Sequence, residues 1–187
     1  MTVPDTVLLY VFPALMIAAA VSDLLTMRIP NLLVLGTGVA FVIVAPLAGL
    51  GLATMGMHLV AALLVLAVTF GLFAAGWIGG GDAKFAAAAA LWVGFELLLP
   101  YLLIAGVAGG LLTLVLLLAR RFSLPARLVT VGWIDRLHQP KTGVPYGIAL
   151  AAAGLLIYAQ TDIHAALTAL PALGGTEGDL FEQLQTF

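Results

Sequence analysis

Two carboxylates in this sequence call for a chemical explanation. Asp23 interrupts an apolar run from Val7 to Leu25, and Asp82 follows Gly79-Gly80-Gly81 and opens a second apolar stretch. An ionisable group near membrane depth is costly and marks a functional site by default. Two carboxylates a few ångströms apart cannot both ionise easily, so such a pair shares one proton. The ionised member takes a proton from water, and the protonated member donates to a scissile carbonyl. The titration belongs to the pair, so neither role is assigned to one residue. A dyad of this kind hydrolyses a peptide bond without a metal or a nucleophilic side chain. The chain has no Cys, which excludes a disulfide, a thiol nucleophile and a cysteine-ligated metal. Its three His residues, His58, His138 and His164, are scattered, and no metal or other cofactor is expected.

The elements that must position these acids are membrane helices. Of 187 residues 63% are hydrophobic and 9% charged, against about a quarter charged in soluble domains. Mean hydropathy is +1.19. This excludes a disordered chain, a nucleic-acid binder with a basic face and a soluble globular enzyme. A formal net charge of −2 argues for no partner. The expected fold class is an all-α integral membrane protein, a compact bundle of six transmembrane helices at about 20 residues each. Breaks between apolar runs put the spans near 5–24, 32–50, 57–77, 82–98, 101–119 and 144–161. Together they make a six-span unit over 1–162, followed by an acidic, mobile tail at 163–187.

Orientation follows from the positive charges. With six spans, Arg28, Lys84, Arg120, Arg121, Arg127, Arg136 and Lys141 all fall on one side, which the rule makes cytoplasmic. Both termini then lie outside. Asp5 precedes the first apolar run where a cleaved signal would carry a positive charge, so the first span is expected to be retained. The cytoplasmic loop 120–143 contains Leu124, Leu128, Val131, Ile134 and Leu137 at helical spacing, which suits a helix lying at the interface. Ala86–Ala90 and Gly106-x-x-x-Gly110 offer smooth surfaces for close packing of spans 4 and 5. His58 is expected at the outer end of a span, in contact with water.

Around Asp82, three glycines permit close backbone approach and unusual dihedrals. Asp82 itself stands where it could cap span 4, beside Lys84. Three motifs then arrive in order, each at an inner end of a span. Asp23-Leu24-Leu25-Thr26-Met27-Arg28-Ile29-Pro30-Asn31 resembles the first-span motif of the type IV prepilin peptidases. Gly79-Gly80-Gly81-Asp82-Ala83-Lys84 resembles their Gly-x-Gly-Asp-x-Lys motif, and Val144-Pro145-Tyr146-Gly147 the Pro-Tyr/Phe-Gly motif that opens their last span.

The resemblance implies an intramembrane aspartic endopeptidase that removes the basic leader from a prepilin at the cytoplasmic face of the bacterial inner membrane. It implies Asp23 and Asp82 as the catalytic pair, Gly79 and Gly81 as shapers of the loop, and Lys84 as electrostatic support. Pro30 would set the start of span 2 and Asn31 cap it. Pro145 would open span 6, Gly147 allow close packing, and Tyr146 approach the dyad or anchor the interface. The larger members carry a cysteine-bearing insert after the first span and methylate the new terminus. Here eight residues, Leu24 to Asn31, stand in that place. The shape is that of the short form serving Flp (Tad) pili, with no zinc and no methyltransferase activity implied. The partners implied are a prepilin with a basic leader and an apolar helix, and the lipid bilayer. No nucleic acid is expected, and a homo-oligomer is left open. Two other readings compete: a presenilin-like protease with other substrates, and a transporter or proton-coupled subunit using the two Asp as a relay.

Overall fold

The computed structural model describes residues 3–140 and 142–169. Lys141 and the tail beyond 169 lie outside the described residues. The described residues form nine helices and no strand: α1 (Val3–Thr26), α2 (Asn31–Leu47), α3 (Leu52–Ala74), α4 (Gly80–Val93), α5 (Leu98–Ala119), α6 (Ala126–Val129), α7 (Gly132–His138), α8 (Gly147–Tyr158) and α9 (Asp162–Ala169).

The short helix α4 is the centre of the bundle. Ala83, Phe85, Ala86, Ala87, Ala89, Ala90, Trp92 and Val93 are all buried. Its alanines let α3 lie along it, with α2 and α8 on its other sides. Helix α8 fills the space between α1 and α5. Around the C-terminal half of α4 the core is aromatic. Phe12 stacks on Trp92 with ring centroids 5.1 Å apart, and Tyr158 meets Phe12 at the same distance. The Trp92 indole N–H donates to the Thr37 carbonyl at 2.9 Å, and the Tyr158 hydroxyl to the Leu9 carbonyl at 2.9 Å. Both bonds satisfy polar tips of large rings inside an apolar core. The outer faces of α3 and α5 expose Leu63, Leu64, Phe70, Leu103, Val107 and Leu111, as helices in contact with lipid must.

Among the described residues three helices are long and apolar enough to cross a membrane: Thr6–Thr26, Leu52–Ala74 and Leu98–Ala119. Gly147–Tyr158 and Asp162–Ala169 make a fourth if taken as one span bent by 44°. The other two expected spans are short: α2 has 17 residues and α4 has 14. Apolar runs mark stretches that avoid water, but glycines set where a helix stops. Helix α4 starts after Gly79 and ends at Gly94, whose φ of 80° breaks the helix. By length and composition the described residues thus hold three to four candidate membrane spans where six were expected.

Three further expectations are corrected. The 124–138 region forms two short helices, α6 and α7, instead of one interfacial helix. Residues 163–169, expected in a mobile tail, belong to α9, where Ile163 and Leu167 are fully buried one turn apart. Gly106 and Gly110 do not pack internally. Both are exposed with open space around them, and the neighbouring Gly109 makes the close contact.

Candidate active site

Asp23 lies in the last turn of α1 and Asp82 in the first turn of α4, and both line one cavity of about 870 Å³. Its wall comes from four places in the chain: the α1–α2 turn (Met27, Arg28, Ile29, Asn31), the α3–α4 loop (Gly76–Gly81), Thr113 of α5, and the approach to α8 (Gly143, Val144, Tyr146).

Asp23 is 4% exposed. Its Oδ2 accepts a 2.7 Å hydrogen bond from the Gly147 backbone N–H, across 124 residues of sequence. The absence of a side chain at Gly147 makes this bond possible. A Cβ there would stand 2.8 Å from Asp23 Oδ2 and 2.7 Å from Ile29 Cδ1. Gly147 therefore does the close packing expected of it, and its partner is the candidate catalytic carboxylate.

Asp82 does not cap α4, contrary to expectation. Gly79 occupies the cap position and Asp82 is the third helical residue, with its carboxylate turned back to the Gly79 backbone N–H. This is the reciprocal half of a capping box, and it holds the carboxylate over the positive end of the helix. A Cβ on Gly79 would fall 2.9 Å from Asp82 Oδ2, so Gly79 shapes the loop. Gly81 has only ordinary contact with Ile29, its nearest neighbour at 3.7 Å. None of the three motif glycines has a positive φ; in this loop that conformation falls to Gly76, at 75°. The expected unusual dihedrals are thus displaced to a residue outside the motif. Asp82 also lies close enough for Asp23 and Tyr146 to interact with it electrostatically.

Tyr146 forms a cavity wall. Its hydroxyl donates to the Ala105 carbonyl at 3.2 Å, and its ring lies so close to Gly109 that a Cβ there would overlap it. Pro145 is fully buried just before it. Pro30 occupies the cap position of α2, where its carbonyl accepts the Leu33 N–H at 3.0 Å. Asn31, expected as the cap, is the first helical residue instead, and its Oδ1 accepts from Lys84 Nζ at 3.3 Å. Lys84 is exposed and absent from the cavity wall. It ties α4 to α2 beside the site.

Sequence reasoning missed Met27, Trp77, Thr113 and Gly143 as wall residues. The expected contact of His58 with water is also corrected. His58 is 1% exposed, its Nδ1–H donates to the Leu91 carbonyl at 2.8 Å, and Gly94 lies against its ring. Its Nε2 faces Asp162 Oδ2 at 3.5 Å. This cluster sits at the end of α4 opposite the cavity. No group of His, Asp and Glu able to hold a metal occurs among the described residues.

An all-helical bundle with apolar outer faces and two acids on one cavity is the frame of a membrane-embedded hydrolase. The model of the Type IV leader peptidase family matches residues 10–114, a stretch that includes both acids, and the chain belongs to that family. No curated protein and no solved structure matches the chain. Membership makes leader-peptide proteolysis of the prepilin type the class of activity.

Proposed function

We propose that the chain is an aspartic leader peptidase in which Asp23 and Asp82 form the catalytic dyad. The observation that carries this reading is the placement of both carboxylates on one cavity, at the ends of two different helices. In the proposed reaction the dyad holds one proton between its two members. The ionised carboxylate takes a proton from a water as that water attacks the scissile carbonyl. The protonated one donates to the carbonyl oxygen, giving a tetrahedral gem-diol. One carboxyl then protonates the leaving nitrogen while the other carboxylate takes a proton from a gem-diol hydroxyl, which breaks the C–N bond, forms the new carboxyl terminus and restores the shared proton. The Gly147 N–H on Asp23 and the helix terminus under Asp82 fix the geometry and favour the charge this cycle needs.

The substrate we propose is a prepilin of the Flp/Tad type, cleaved between basic leader and apolar helix, with no methylation of the new terminus. The eight residues from Leu24 to Asn31, which leave no room for a cytoplasmic insert between α1 and α2, support this choice. A six-span arrangement with both termini outside completes the proposal, α2 and α4 being short spans inside the bundle. Arg28, Lys84, Arg120 and Arg136 all make contacts at the cavity end, which favours the cytoplasm as the side on which the site opens. The test is co-expression with such a prepilin in the inner membrane. A size shift of the prepilin is expected with wild type and is expected to vanish with Asp23→Asn or Asp82→Asn. A shift that persists with either variant would remove that residue from the dyad.

A further inference from the structure

The cavity accounts for the carboxylate of Asp23 but not for what holds its backbone. Asp23 is the fourth residue from the C-terminus of α1 counting Thr26 as the first, where the last four carbonyls of any helix lack helical partners. Two of these carbonyls, those of Asp23 and Leu25, have found partners, and the Ser22 carbonyl one residue before them takes a side-chain bond. The Asp23 carbonyl accepts the Met27 N–H at 2.7 Å, and the Ser22 carbonyl accepts the Thr26 hydroxyl at 2.8 Å. The Leu25 carbonyl accepts from a guanidinium nitrogen of Arg136 at 2.7 Å, across 111 residues of sequence. The turn that follows is strained: Met27 has φ of 55°, the left-handed region that side chains avoid. From within α1 the Ser22 and Thr26 hydroxyls donate to the Arg28 carbonyl at 3.0 and 3.1 Å, and from outside it Arg136 adds a cation at the helix C-terminus, where a positive charge is favourable.

Arg136 is itself anchored. Thr142 donates its hydroxyl to the Arg136 carbonyl at 2.6 Å. Arg120, at the end of α5, donates to the carbonyls of Leu137 at 2.8 Å and Gly143 at 3.0 Å. A few residues further on, the Gly147 N–H binds the Asp23 carboxylate. One segment therefore holds Asp23 twice, by its helix end through Arg136 and by its carboxylate through Gly147.

We propose that Arg136 is a positioning residue for Asp23, setting the placement of the α1 terminus relative to Asp82. The catalytic consequence rests on the leader-peptidase reading above; the structural one does not. Arg136 acts through the Leu25 carbonyl and touches neither acid. Its loss therefore lowers turnover more than it weakens substrate binding.

The experiment uses the full-length protein in lipid vesicles with a purified prepilin. Arg136→Gln is expected to lower kcat about tenfold with KM within about twofold, since small misplacements of reacting groups cost one to two orders of magnitude. Arg136→Lys, which keeps a cationic donor, is expected to recover most of the rate. Thr142→Val, which loosens Arg136 without removing it, gives a smaller loss in kcat and serves if Arg136→Gln does not fold. The chain has no Cys, so paired spin labels at Arg28→Cys and Trp77→Cys read the width of the cavity mouth independently of activity. The distance distribution is expected to broaden in Arg136→Gln and stay narrow in Arg136→Lys. An unchanged kcat, or an unchanged label distribution, overturns the proposal. A wild-type protein that cleaves no leader overturns the leader-peptidase reading instead, and the label distances then decide the positioning role alone.

Discussion

The two ends of α4 are built on opposite principles. At its N-terminus the chain keeps side chains away: Gly79 clears Asp82, Gly147 clears Asp23, and a cavity of about 870 Å³ remains between them. At its C-terminus Phe12, Phe41, Trp92 and His58 close up around one another. Glycine is used at both ends, with different results. Gly147 lets a backbone N–H reach the candidate catalytic acid Asp23, whereas Gly94 lets an imidazole seat against the helix end. The aromatic end packs α4 against its neighbours, and the cavity end brings two acids to one open space. A disturbance at the first end should appear in stability, and one at the second in turnover.

Gly147→Ala is the strongest test of that division outside the dyad. Its Cβ would displace Asp23 or Ile29, so cleavage is expected to fall about 100-fold, as for other misplacements of a reacting group. The melting temperature should move much less than the rate, by calorimetry in detergent. Gly94→Ala is the matched change at the closed end, strained by its φ of 80° and by the His58 ring 2.9 Å from the new Cβ. About 1–3 kcal/mol of stability is expected to be lost, with kcat per folded molecule within about twofold. If Gly94→Ala abolished turnover in folded protein, the division would break. Trp92→Phe removes the buried bond to Thr37 and should cost about 0.5–1.5 kcal/mol, the net worth of one hydrogen bond, because the Thr37 carbonyl lies inside α2 and keeps its helical partner. The measurement is again thermal unfolding, with cleavage retained. Lys84→Gln is expected to have the smallest effect, within about threefold in rate, because an exposed polar contact contributes little. A larger loss would return Lys84 to the site as direct support for the dyad.

How legible these two ends were in the sequence differs as sharply as their construction. Asp23 and Asp82 were visible because a charge in an apolar run stands out whatever the fold, and Gly147 because it belongs to a motif at a helix start. The aromatic end gave no such signal. His58 lies in a 53-residue uncharged stretch, Ile29 to Gly81, and nothing local says that Gly94 leaves room for its ring or that the Leu91 carbonyl will meet it. Choosing between Gly106, Gly109 and Gly110 failed for a related reason. Helix α5 is apolar all round, so its pattern does not tell the inward face from the lipid face. Span lengths were misjudged where a glycine, not a charge, ended the helix. Arg136 looked like one of several positive charges on a loop, and its role depends on a carbonyl 111 residues away.

The central claim is that Asp23 and Asp82 act as one unit. The direct measurement is single-turnover cleavage of a prepilin by Asp23→Asn, Asp82→Asn and the double variant, each checked for insertion and folding. Groups that share one proton are not additive, so each single change should remove as much rate as the double. A double variant whose loss equals the product of two partial single losses, or a single variant that still cleaves at the wild-type rate, would contradict the dyad.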